Sequence, residues 1–293
     1  MGRVLQSKRL IGALMAVLFV LWCVVAFLQS GKPELPAVKT PADAPVGTAT
    51  VKTISALMQA QLDAFGGWLP NDLPGSPGYF LDNVPSFQLG VLQVLRHGSR
   101  VLRDNLSRQR TSDAVHREVD SAYSAFANDP RRWAFPSAEG AFERGTGALD
   151  RFAAELGTTA HFYPRADNLV QLLDPLMSEL GAVNTLLLEA REGNKVAWSK
   201  IDDNFYYAQG VAYAMLGVML AVRRDFSAVL EDKNALEITD LILKSLQQSQ
   251  FEPILVTNGE RDGILANHSS NLKAYLDDAR QKMGSLTTIL RQG

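Results

Sequence analysis

Nineteen consecutive residues without a charge, Leu10 to Leu28 (LIGALMAVLFVLWCVVAFL), stand apart from an otherwise mixed pattern of apolar and polar positions. As a helix this run extends about 28 Å, enough to cross the hydrocarbon core of a bilayer. Arg3, Lys8 and Arg9 precede it, and the positive-inside rule then keeps the N-terminus in the cytoplasm and sends everything after Leu28 across the membrane. A cleaved signal peptide has a shorter apolar region, about 7–15 residues, and ends at small residues. Here the bulky Phe27, Leu28 and Gln29 close the run. A lipoprotein signal ending at Cys23 is opposed by Trp22 directly before the cysteine, where a small residue is needed. An uncleaved anchor over 10–28 is therefore expected behind a basic tip, residues 1–9. Gly12 and Ala16 form a small-xxx-small pair through which two such anchors would pack as a homodimer.

Residues 29–50 hold Pro33, Pro36, Pro41 and Pro45 without helical or strand period, which predicts an extended tether acting as a semi-rigid spacer. From residue 51 the apolar positions recur at three and four: Val51, Ile54, Leu57, Met58, Leu62, Phe65. After the turn-rich WLPNDLPGSPGYF, Asn83 and Pro85 signal a second helix with Phe87, Val91, Val94, Gly98, Val101 and Leu102 on one face. Further helices are expected over about 112–127, 137–156, 169–173, 174–191 and 197–230, each bound being an approximate reading of period and caps. Asn234 with Glu237 resembles a capping box for the next, and Leu272, Tyr275, Leu276, Ala279, Met283, Leu286 and Leu290 stripe the last. The segment 254–259, ILVTNG, has the start of a hairpin but lacks an apolar second strand. The fold class is all-α: a bundle of about seven to eight helices over residues 51–293 behind a single N-terminal transmembrane helix.

The stretch 205–222, FYYAQGVAYAMLGVMLAV, admits two readings. Its length and the flanking Asp202–Asp203 and Arg223–Arg224 fit an inward-returning second span, which would make the chain a polytopic membrane component. Three tyrosines and the stripe Gly210, Ala214, Gly217, Ala221 fit a closely packed core helix. The buried central helix is preferred because it keeps the amphipathic C-terminal helix in the same compartment as its packing partners.

Charge changes the picture only modestly. The 29 basic and 31 acidic residues exclude a nucleic-acid coat. The single cysteine excludes a disulfide framework or a multi-cysteine metal site within one chain. His97, His116, His161 and His268 are too scattered for a local ligand pair, so no metal is nominated. There is no phosphate-cradling, acyl-transfer or dinucleotide motif either, and no cofactor is expected.

Arg96-His97-Gly98-Ser99-Arg100 matches the RHGxR motif of histidine phosphatases, in which a histidine attacks phosphorus and arginines bind its oxygens. That motif belongs at a strand end, whereas here it continues a helical period, and no His-Asp dipeptide follows it. A phosphatase-like envelope hydrolase using Arg96, His97 and Arg100 is accordingly the alternative reading. The preferred surface for an anionic ligand or a partner comprises Arg96, Arg100 and Arg103 with Arg131 and Arg132, since arginine forks onto phosphate and carboxylate. Its competitor is a face that is solvated or paired within the fold. Trp68 and Trp133 are candidate aromatic contacts, each equally explicable as a loop pinned to the core.

The short N-terminal span, GGWLPNDLPGSPGYFLDN, FQLGVLQVLRHGSRVLRDNLSRQR and NDPRRWAFPSAE together resemble an uncharacterised family of Gram-negative bacterial membrane proteins, a domain of unknown function. The resemblance covers nearly the whole chain and implies an inner-membrane location, but brings no activity or catalytic residues. The expected function is thus a non-enzymatic, periplasm-facing binding or scaffold module. It would be held in the membrane by residues 10–28 and would engage an envelope protein or an anionic envelope component, with no nucleic acid involved.

Overall fold

The computed structural model describes residues 2–110, 112–189, 198–251, 253, 256 and 267–292. Among them are ten α-helices and no strands, and most of the 254–259 hairpin candidate lies outside the described residues. The all-α class is as expected. The first helix, α1 (Gly2–Gln29), carries the apolar run. Behind it α2 (Thr48–Asp63), α3 (Asn83–Val101), α4 (Arg117–Phe126), α5 (Ala138–Glu155), α6 (Ala166–Glu189), α7 (Trp198–Asp225), α8 (Ser227–Asp232), α9 (Leu236–Gln248) and α10 (His268–Arg291) form the bundle.

The centre is α7 packed on α3. Gly90 and Gly210 face one another's helices so closely that a Cβ on Gly90 would lie 2.2 Å from Tyr207 O, and one on Gly210 2.0 Å from Phe87 O. The small-residue stripe thus brings two backbones together inside the domain. In the apolar window of α7, 83% of the residues are buried by protein, which makes it a core helix. α2, α6 and α9 cover its other faces, and α10 lays Leu272, Leu276, Ala279, Met283, Leu286 and Leu290 onto α6 and α9.

Helix boundaries depart from the sequence reading at several places, the starts of α2 and α4 among them, and three of the departures have an identifiable reason. Asp174–Pro175 was expected to start a helix, yet Pro175 lies inside α6. Its missing N–H forfeits one intrahelical bond, while Leu169, Leu172, Leu173, Leu176 and Leu180 form a continuous buried stripe that holds the helix together across it. Asn234 does not cap α9; it adopts a left-handed conformation (φ 51°) after α8, a role asparagine tolerates better than most residues. The long helix expected to about Leu230 breaks at Phe226 into α7 and α8.

The proline-rich segment is not a free spacer. Lys32 Nζ donates to Gln209 Oε1 at 2.6 Å, and Tyr213 OH donates to Glu34 O at 2.8 Å. Arg224 donates to the carbonyls of Thr40 and Pro41, and Leu35 packs on the core. Lacking donors at its prolines, the segment offers carbonyls to side chains of α7 and lies along that helix as a strap. It leads into α2, whose first turn is held by Asp225: both Thr50 N and Thr50 Oγ1 donate to Asp225 Oδ2 at 2.7 Å.

On α1, among residues 8–29, only the positions 22, 25, 26 and 29 are shielded by the rest of the chain, one helical stripe near its end. Trp22 Nε1 donates to Gly75 O at 3.3 Å, and the Trp22 and Phe80 rings meet edge-on at 5.4 Å.

Candidate partner-binding surface

The two segments singled out for their tryptophans are joined in space. Trp68 is 1% exposed, stacks edge-on against Phe142 at 4.9 Å, and donates its indole N–H to Pro130 O at 2.7 Å. Asn71 Nδ2 donates to Arg132 O at 3.1 Å and to Glu139 Oε2 at 2.9 Å. Trp68 is therefore a buried pin for the loop between α4 and α5, not a contact residue. A full-sized indole in an apolar environment requires a partner for its N–H, and the loop carbonyl supplies it.

The same loop is fixed at both ends. Ser137 Oγ accepts Gly140 N at 3.1 Å to cap α5, and Ala138 N donates to Arg132 O at 2.7 Å. The guanidinium of Arg132 donates to Ala134 O and Phe135 O, folding the loop on itself. Its tip carries Trp133 and Phe135 outward, 66% and 95% exposed, with Arg131 exposed beside them. Phe135 was absent from the sequence-derived candidates, although the RRWAFP segment contains it; only the pinned loop shows which of its aromatics faces out. Beside the loop a groove of about 730 Å³ runs between α4 and α5, lined among others by Ser121, Ser124, Asn128, Arg144 and Arg151. Gly145 lets the two helices close, since a Cβ there would come within 2.7 Å of the Phe126 ring.

The expected arginine surface divides. Arg96 donates from Nε to Phe126 O and from Nη2 to Asn128 O, both at 2.8 Å, satisfying carbonyls at the end of α4. Burial lowers its pKa, partly offset by Tyr207 and Asp129. Arg103 bonds Asp104 at 2.7 Å and lies 4.0 Å from the centre of the Tyr123 ring. Its hydrogen bond with Asp104 raises its pKa. These two serve the fold, and only Arg100 of the trio stands exposed. The reason is local: α4 packs on the arginine-bearing side of α3.

Arg96 and His97 turn to different partners, so the RHGSR segment makes no common phosphate cradle. His97 Nε2 lies 3.3 Å from Glu179 Oε2, Gln93 Nε2 donates to the same oxygen at 3.3 Å, and Tyr207 OH donates to Glu179 Oε1 at 2.9 Å. Burial pushes the Glu179 carboxyl upward, but the bonds from His97, Tyr207 and Gln93 outweigh it and hold the pKa below the usual value. Burial and Glu179 raise the Tyr207 phenol. This polar cluster escaped sequence reading because its members lie on three helices; a lone carboxylate in the apolar LMSELGAV run was its only trace. Among the described residues, no three His, Cys, Asp or Glu side chains gather to hold a metal.

A family model described as an uncharacterised protein conserved in bacteria (DUF2333) matches residues 3–196 and 188–293. The chain belongs to that family. Comparison with curated proteins and with solved structures finds no match. Family membership makes α1 a candidate membrane anchor in a bacterial protein and leaves the activity to be read from the geometry.

Proposed function

We propose that this bacterial protein is a single-pass inner-membrane module, N-terminus in the cytoplasm and helical domain in the periplasm, that acts by binding rather than by catalysis. Its docking surface is the α4–α5 groove with the loop 128–137, and its occupant is a segment of another envelope protein carrying apolar and acidic side chains. One observation carries this reading: Trp133 and Phe135 are held in water by a loop whose remainder is pinned at Trp68, Asn71 and Ala138. Large aromatics next to arginine, on a rigid support, have the composition of a binding hot spot. Arg131 and Arg144 outnumber the exposed Glu143 at this surface and suit an acidic partner, while Arg151 pairs with Glu118 at 2.7 Å.

Photo-crosslinking in intact cells tests it. A benzoylphenylalanine replacing Trp133 should yield a discrete protein adduct that one replacing Thr158 does not, and Phe135→Ala with Arg144→Glu should abolish that adduct without lowering protein abundance. A pattern at position 133 identical to that at 158, or an adduct indifferent to both substitutions, would overturn the proposal.

A further inference from the structure

The apolar run of α1 cannot both cross a bilayer and remain clear of the domain. Residues 22–29 carry its shielded stripe, and without them the run shrinks to the twelve residues 10–21. Those would extend roughly 18 Å, against a hydrocarbon core of about 30 Å. The last two turns of α1 must therefore be in the membrane, and whatever touches them must be there too. What touches them is the loop after Leu69, through Gly75 O and the Phe80 ring on Trp22.

That loop presents an apolar outer face, with the Asp72 carboxylate at its base accepting from Ser76 Oγ at 3.1 Å. From Leu73 to Leu81, LPGSPGYFL, it has no charge. Leu73, Tyr79 and Phe80 are 51%, 53% and 63% exposed, and Tyr79 stacks edge-on with Phe80 at 5.5 Å. Backbone in a bilayer must satisfy its own polar groups. Pro74 and Pro77 have no N–H to satisfy, Ser76 N donates to Leu73 O, Phe80 N to Pro77 O and Leu81 N to Gly78 O. Tyr79 N donates to Ser76 Oγ, and the Trp22 indole takes Gly75 O. Phe65, also exposed, lies next to Gly66, which abuts Gln29 at the end of α1.

We propose that residues 73–80 are a membrane-inserted loop: they lie in the outer leaflet of the bilayer that α1 spans, with Leu73, Tyr79 and Phe80 among the acyl chains just below the headgroups. The domain then rests directly on the membrane surface, seated by loop and anchor together. This rests on α1 being the anchor proposed above.

Nitroxide labels on the full chain, reconstituted in phosphatidylethanolamine–phosphatidylglycerol vesicles, separate the two ideas. In a Cys23→Ser background, Leu18→Cys reports the anchor, and Phe80→Cys and Tyr79→Cys report the loop, with helicity checked for each. Lipid contact raises collision with oxygen and suppresses collision with a water-soluble nickel complex. All three positions should show that suppression. A lipid-shielded Leu18 with Phe80 and Tyr79 open to nickel, or closed to both reagents as if covered by protein, would overturn the inserted loop and leave the anchor standing. A Leu18 label open to nickel would overturn the anchor, and the loop with it.

Discussion

Glu179 shows how a single carboxylate organises the interior. It is nearly buried, and its two oxygens take three donors or partners from α3 and α7. Truncation by Glu179→Ala leaves His97, Gln93 and Tyr207 without that acceptor and should cost about 3 kcal/mol. Tyr207→Phe removes one bond of the set and should cost about 1 kcal/mol. Chemical denaturation of the detergent-solubilised chain distinguishes these values; equal and negligible losses would show the cluster to be idle. Because the pKa of Glu179 is depressed on folding, its contribution is present above the usual carboxylate pKa and is lost as pH falls through the folded value.

Asp202 has the opposite sign. Burial first, then Asp82 and Asp203, push its pKa up to about 6. Folding therefore opposes its ionisation: the penalty is absent below the ordinary aspartate pKa, grows as pH rises, and is complete above about 6. Asp202→Asn should raise stability at pH 7.5 by about 1 kcal/mol, a figure discounted for the solvent that still reaches this half-buried group. The gain should vanish near pH 4, and thermal melts at the two values check it. The isolated acidic pair at 202–203 was visible in the sequence, but Asp82, far away in the chain, was not an evident neighbour.

At the scale of elements, close backbone approach defines the bundle more sharply than hydrophobic area does. Gly90→Ala or Gly210→Ala would place a methyl group against a carbonyl on the opposite helix, with no flexible side chain to yield. Either should destabilise by about 3 kcal/mol or more, whereas Gly284→Ala on α10, with open space around it, should be neutral or slightly stabilising. Melting temperatures of the three variants make the comparison. The stripe Gly210, Ala214, Gly217, Ala221 was legible as a packing surface, but a helix and a second span share such a stripe, and periodicity alone does not choose. Pro175 and Asn234 misled for a related reason. Their local preferences are ordinary, but the apolar stripe running through α6 and the tight exit from α8 set where they are used. The arginines of α3 were also seen, and sequence could not tell that α4 would cover Arg96.

Across the whole molecule, the apolar helix, the proline-rich segment and the helical bundle are not independent parts. The strap on α7 joins the second to the third, and Trp22 against Gly75 and Phe80 joins the first to the third. Cutting the strap's contacts with Tyr213→Phe and Arg224→Ala should leave the bundle folded while making residues 33–41 more open to limited proteolysis. Unchanged cleavage would mean the strap is held by Lys32 on Gln209 and by the packing of Leu35. Long-range contacts of this kind leave little mark on a sequence, since prolines in a free linker and prolines in a docked strap obey the same local rule.

In the proposed topology α1 is the one crossing among the described helices, and the domain behind it stands outside the cytoplasm. Paired fusions at Gly293, one to alkaline phosphatase and one to green fluorescent protein, separate the two orientations. A periplasmic domain gives an active phosphatase and a dark fluorescent protein; a bright fluorescent protein with inactive phosphatase would place the domain in the cytoplasm and overturn the topology.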